Sequence, residues 1–117
     1  MVTPTVGVVV LVRFPFSDLT ASKLRPAVVL ANADRGDWVL CQITSRSYAD
    51  PKAVPITSSD FSKGTLTKSS HARPAKLFTA NSGIIVREIG ELSIEKLSEI
   101  LSAVISLFGD NLENNAT

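Results

Sequence analysis

The distribution of hydrophobic and polar residues along the chain predicts several short β-strands followed by one helix. Largely apolar stretches rich in β-branched residues are typical of buried strands, and they occur at Val6–Phe14, Arg25–Ala31, Trp38–Thr44 and Gly83–Leu92. Residues 32–37 form a turn cluster with Gly36 at the bend. This cluster predicts a hairpin between the second and third stretches.

The pattern is weaker between residues 45 and 82. Pro51 and Pro55 limit any strand around Val54–Ile56 to a short one at a sheet edge. The sequence around Asp60 predicts a turn or a single helical turn, and residues 66–76 are mixed polar without a clear period.

The hydrophobic period changes after residue 92. Apolar residues now recur at steps of three and four, at Ile94, Leu97, Leu101, Val104, Ile105 and Phe108. This spacing predicts an amphipathic helix that Ser93 caps and Gly109 ends, with a frayed tail at about 110–117. The whole pattern predicts an α+β protein, with a small, strongly curved antiparallel sheet or β-barrel and a C-terminal amphipathic helix.

Length and composition predict a single cytoplasmic domain over residues 1–117. The chain has one cysteine, Cys41, so an internal disulfide is impossible and a reducing compartment fits. The longest apolar run, Val6–Val12, is too short to span a membrane, and no basic residue precedes it as in a signal peptide. We expect no membrane partner.

The charges are distributed unevenly, although the formal net charge is only +1. Residues 1–87 hold eleven Lys or Arg against five Asp or Glu, a balance of +6, whereas residues 88–117 hold one Lys against six acids, a balance of −5. A basic body suits phosphates or an acidic partner, and it is equally compatible with a solvated surface of scattered charge.

The residue types available for chemistry point to phosphate rather than to a metal. One His and one Cys cannot make a usual zinc site, the acids of the body are scattered, and no glycine-rich phosphate loop or nucleophile elbow is present. We expect no cofactor. What remains is a set of cations and hydroxyls that suits a phosphodiester, namely Lys23, Arg25, Arg46, Arg73, Lys76, Thr44, Ser45 and Ser47.

Four sequence blocks resemble the MazF/PemK family of type II toxin–antitoxin toxins: "FPFSDLTASKLRPAVVLA", "VLCQITS", "RPAKLFT" and "IIVREIGELS". The resemblance runs from about Gly7 to Phe108 and implies an SH3-like barrel. It also implies a homodimeric endoribonuclease that cuts single-stranded RNA at short sequences without a metal. The implied partner is an antitoxin whose acidic, disordered tail fills the RNA groove, and DNA binding is expected only for the toxin–antitoxin complex.

The resemblance assigns the catalytic pair to Arg25 and Thr44. The predicted hairpin places both residues at the same end of the sheet, and Pro26 biases Arg25 towards an extended backbone. The resemblance also makes five residues candidates for RNA binding, namely Lys23, Ser45, Arg46, Arg73 and Lys76. Arg73 departs from the family pattern, because other members carry an acid in that block.

The implied reaction is attack of the ribose 2′-OH on the adjacent phosphorus, which leaves a 2′,3′-cyclic phosphate and a free 5′-OH. Arg25 suits stabilisation of the phosphoryl charge, and the proton carriers stay unassigned; His71 is not included among them. Two other interpretations are a DNA gyrase poison of similar fold and a non-catalytic member that binds only antitoxin and DNA. The Arg25–Thr44 pair favours the ribonuclease.

Overall fold

The computed structural model describes residues 3–15, 22–46 and 49–115, which form one curved sheet and a C-terminal helix. The strands are β1 (Val8–Pro15), β2 (Ser22–Asn32), β3 (Asp37–Thr44), β4 (Val54–Ile56), β5 (Phe61–Gly64), β6 (Ser70–Asn81) and β7 (Ile85–Leu92). Single 3₁₀ turns lie at Ser58–Asp60 and Ser82–Ile84, and the helix α1 spans Ile94–Asn115.

The sheet has the strand order β4-β6-β3-β2-β1-β7-β5, and every pairing in it is antiparallel. It curls into a half-barrel with β4 and β5 at its two edges, and α1 contacts β6 and β4. The predicted α+β class, with a strongly curved antiparallel sheet and one helix, is therefore confirmed.

The central strands are apolar on both faces because both faces of the sheet are covered. One buried cluster contains Val9, Val28 and Cys41 and packs against Ile100 of α1. The other lies on the opposite face and is built around Val10, Val29 and Leu40. A strand buried on both sides shows a continuous apolar run instead of alternation, which explains the pattern of β1 and β2.

The single thiol belongs to this core. Cys41 is fully buried, and its Sγ donates a hydrogen bond to the backbone carbonyl of Arg73 at 3.2 Å. Burial raises the pKa of the Cys41 thiol to about 12, since the thiolate would lose its hydration. Cys41 is therefore a packing residue in this fold.

The β2–β3 hairpin and three other elements match the predictions made from the sequence. The β2–β3 turn uses left-handed backbone at Gly36, with φ 81°, and at Asp34 and Arg35. β4 is the predicted short edge strand, and the helical turn predicted around Asp60 is present at Ser58–Asp60. The strand predicted within Gly83–Leu92 is also confirmed, as β7.

The sequence pattern missed β5 and most of β6. Next to β3, the ladder passes from Cys41↔Leu77 to Ile43↔Ala72, so residues 73–76 of β6 bulge out opposite a single residue of β3. Pro74 lies inside this bulge and has no N–H to donate. The bulge breaks the period of two residues and hides a 12-residue strand within a mixed polar stretch.

The helix begins as predicted but ends later. The backbone N–H of Lys96 donates to Ser93 Oγ at 3.2 Å, which confirms the N-cap. Gly109 does not end α1, which continues to Asn115. A Cβ on Gly109 would meet nothing within 4 Å, so the glycine lies on an open side of the helix, where it lowers helix stability by only about 1 kcal/mol.

The buried face of α1 also differs from the predicted one. Ile100 is fully buried, with Leu97, Leu101 and Val104 packed beside it. In contrast, Ile94, Ile105 and Phe108 are 79%, 69% and 59% exposed. In the described part of the chain, no helix is long and apolar enough to cross a membrane.

Candidate active site

The β2–β3 register brings Arg25 and Thr44 together. Ala27 pairs with Gln42 and Val28 with Cys41, so extending the same register by two residues places Arg25 opposite Thr44. Both residues line a cavity of about 390 Å³ at this end of the sheet. The hairpin therefore builds the predicted arrangement, with Pro26 also in the cavity wall.

The cavity is lined by cations. Lys23, Arg25, Arg46 and Lys68 all contribute to its wall, and no acid is among the lining residues that the structure describes. Lys23 and Arg46 are exposed, whereas Arg25 is half-buried. A guanidinium offers paired donors in a fixed plane, and the neighbouring cations add charge, so the cavity is suited to a phosphate group.

Thr44 is held in place by the turn that follows β3. Its side chain is buried, and its Oγ1 accepts a hydrogen bond from the Arg46 backbone N–H at 3.1 Å. The hydroxyl hydrogen can therefore be donated to a bound group while the oxygen fixes the turn. Ser45 lines the same cavity and is exposed.

One histidine lies beside the threonine. His71 pairs with Thr44 across the β3–β6 ladder. Its Nδ1 atom is buried and has no hydrogen-bond partner among the described residues. His71 is not among the residues that line the cavity, so the geometry gives it no direct route to a bound group there.

The segment before β6 supplies a wall that the sequence did not predict. Thr67 and Lys68 from this segment, and Ser70 at the start of β6, line the same cavity as the hairpin residues. The Ser70 hydroxyl is buried and donates to the Lys68 carbonyl at 2.9 Å, which fixes the end of this segment. The signal was the run of hydroxyls and a lysine in "TLTKSS", which leads into β6.

Arg73 and Lys76 do not join this cavity, because both lie in the β6 bulge. The Arg73 Nε donates to Asp50 Oδ2 at 3.0 Å, and the two side chains are only 20% and 11% exposed. A hydrogen bond from the Lys52 backbone N–H and a second one from Arg73 lower the pKa of Asp50.

The two remaining predicted residues contribute nothing further to the described cavity wall. Lys76 is exposed, and Ser47 lies outside the described residues.

Known structures share this architecture. A MazE–MazF crystal structure from Deinococcus radiodurans superimposes with a TM-score of 0.73 at 22% identity, covering 91% of this chain and 96% of that one. An endoribonuclease in complex with its cognate antitoxin, from a mycobacterial species, gives a TM-score of 0.69 at 18% identity, with 93% and 96% covered. At these identities, the similarity demonstrates a shared fold.

The fold and the cavity define a small half-barrel protein with a cation-lined site at one end. The family model described as PemK-like, MazF-like toxin of type II toxin–antitoxin system matches residues 5–108. The chain therefore belongs to this toxin family, as its four sequence blocks predicted. No curated protein sequence is significantly similar to the chain.

Proposed function

We propose that this protein is the toxin of a type II toxin–antitoxin system and cuts single-stranded RNA at short sequences without a metal ion. The observation that carries the proposal is the presence of Arg25 and Thr44 in one cavity whose described charged residues are all cations. Membership of the toxin family supports it. Two mycobacterial structures of the same fold bear the name endoribonuclease.

The proposed reaction needs no protein nucleophile. The 2′ oxygen of the ribose forms a bond to the adjacent phosphorus, and the bond from phosphorus to the 5′ oxygen breaks. The 2′ hydroxyl loses a proton and the departing 5′ oxygen gains one, which gives a 2′,3′-cyclic phosphate and a 5′-OH. Arg25 stabilises the charge that builds up on the phosphoryl oxygens, and Thr44 donates a hydrogen bond to one of them.

The chemistry of the cavity wall favours cation-based over metal-based stabilisation. Ammonium, guanidinium and hydroxyl groups dominate the wall, whereas a magnesium site uses carboxylates. We therefore expect purified protein to cut a long single-stranded RNA at full rate in excess EDTA, and to leave the same sequence intact in a perfect duplex. Electrophoresis of end-labelled RNA measures both results.

The Arg25→Ala protein, purified identically, is the control against a contaminating nuclease. Cleavage that disappears in EDTA and returns with magnesium would overturn the metal-independent mechanism. RNA left intact alongside gyrase-dependent DNA breaks would favour the gyrase-poison alternative instead.

We further infer that the active form is a cytoplasmic homodimer inhibited by an antitoxin with an acidic, disordered tail. The names of the MazE–MazF and endoribonuclease–antitoxin structures support a protein partner. The +6 balance of residues 1–87 supports an acidic one. A disordered segment can wrap an extended groove as it folds on binding. DNA binding is assigned only to the toxin–antitoxin complex.

A shared groove predicts competition between antitoxin and RNA. Added antitoxin should inhibit cleavage in proportion to its binding. Bound RNA should raise the apparent Kd for antitoxin, and raised salt should slow antitoxin association. Titration of labelled antitoxin onto toxin with and without RNA measures this. Equal antitoxin affinity in both cases, with cleavage unaffected, would contradict the shared groove.

A further inference from the structure

A second cavity adjoins the candidate active site. It has a volume of about 510 Å³, within the range of about 300–1,000 Å³ that is usual for ligand sites. Pro26, Leu66 and Thr67 line both cavities, so the two share a wall. An extended chain bound in the first cavity can therefore continue into the second without leaving the surface.

The second cavity has a different chemical character from the first. Its wall combines the apolar side chains of Leu11 and Ile89 with one guanidinium, Arg87, and one carboxylate, Glu88. The first cavity instead presents four cations and, among its described lining residues, no carboxylate. The charges of Arg87 and Glu88 balance, so the second cavity suits a neutral, partly polar group better than a phosphate.

The strand geometry explains how these side chains come to share one cavity. Leu11 pairs with Arg87 across the β1–β7 ladder, and the register shifts between Val10↔Glu88 and Val9↔Gly90. Ile89 is the extra residue of this bulge. A bulge interrupts the alternation of side chains along a strand and can re-aim one of them. Arg87, Glu88 and Ile89 all line the cavity in consequence.

We propose that the second cavity binds a nucleobase next to the scissile phosphate and selects a base with an exocyclic amino group over uracil. An ionised carboxylate only accepts hydrogen bonds, so Glu88 can accept from the amino group of cytosine, adenine or guanine. Uracil has no such group. Leu11 and Ile89 pack against the ring, and the Arg87 guanidinium stacks on it or donates to its edge. This inference rests on the proposed function, because it assumes that the first cavity holds RNA.

The test separates base selection from cleavage by using RNA that cannot be cut. A randomised pool of 2′-O-methyl RNA is bound to the protein, and the bound fraction is sequenced. We expect wild type to disfavour uracil at one position, and Glu88→Gln to relax that preference by at least about fivefold. A glutamine amide can donate to a uracil oxygen as well as accept, which is why it removes the discrimination.

Glu91→Gln is the matched control. It removes the same charge three residues along β7, from a side chain outside the cavity that pairs with Lys63 at 3.9 Å. We expect this variant to keep the wild-type base preference. End mapping on cleavable RNA should show the same relaxation for Glu88→Gln at one position beside the cut, while the best substrate is still cleaved.

Three results would overturn the subsite. The first is an unchanged base preference in Glu88→Gln, and the second is an equal loss of base preference in Glu91→Gln. The third is a change in the native mass of Glu88→Gln, which would assign the cavity to contacts between protein chains. A protein that selects bases in the uncleavable pool but does not cut RNA would refute the proposed function and leave the subsite standing. A protein that binds no RNA would refute both.

Discussion

Arg25→Ala should slow the cleavage of single-stranded RNA by about a hundred- to a thousand-fold, which corresponds to about 2.7–4 kcal/mol of lost transition-state stabilisation. The guanidinium is half-buried in a cavity shared with three other cations. Those cations can still attract the RNA, so the loss should appear in the rate of the chemical step more than in binding. Single-turnover cleavage at saturating protein measures that step.

Two further variants make the Arg25 result specific. Arg25→Lys keeps the charge but loses the planar pair of donors, so it should also be slow. Arg13→Ala removes an exposed arginine that lines neither cavity, and it should cut at the wild-type rate. Full activity in a folded Arg25→Ala protein, with an unchanged melting temperature, would remove Arg25 from the mechanism.

Thr44→Val should reduce the cleavage rate by about ten- to 150-fold, because a hydrogen bond to a charged group is worth about 1.5–3 kcal/mol. Valine has nearly the same shape as threonine and the same strand preference, so β3 should be preserved. The substitution removes the donor to the phosphoryl oxygen. It also removes the acceptor that holds the Arg46 backbone at 3.1 Å.

Thr44→Ser separates the hydroxyl from the shape of the side chain. Serine keeps the donor and the acceptor but loses a methyl group, so most of the activity should survive. The same single-turnover assay applies, with circular dichroism to verify the fold. If the valine variant cut as fast as wild type while the serine variant was impaired, the hydroxyl would have no role and Thr44 would act through packing.

The sequence predicted the elements whose burial or turn residues favour a single conformation. The centres of β1 and β2, at residues 8–10 and 27–30, are buried on both faces, so their apolar runs are unbroken, and the Gly36 turn between β2 and β3 allows one compact hairpin. The hairpin brings Arg25 and Thr44 to the same end of the sheet, although a register shift between Val29 and Ala31 means that counting residues from the turn does not give their exact pairing. The resemblance to a family supplied their roles, whereas the hairpin alone predicts their proximity.

The remaining features depend on contacts between distant parts of the chain. The β6 bulge turns Arg73 towards Asp50, and local sequence gives no sign of a partner 23 residues away. The segment that holds Thr67 and Lys68 shows neither helical nor strand periodicity in its sequence, because its conformation depends on contacts with neighbouring elements. Helical spacing identified an amphipathic helix, but the choice of Ile100 over Ile105 as a buried residue depends on how α1 lies against β4 and β6.

The chemical identity of the cut ends tests the central claim most directly. A short RNA that contains one preferred site is cleaved in EDTA, and both fragments are weighed by mass spectrometry. We predict a 2′,3′-cyclic phosphate on the upstream fragment and a 5′-OH on the downstream fragment. We also predict that the same oligonucleotide with a 2′-deoxy sugar at the cut position stays intact. A 3′-OH with a 5′-phosphate, or cleavage of the deoxy substrate, would contradict attack by the 2′ hydroxyl in the Arg25–Thr44 cavity.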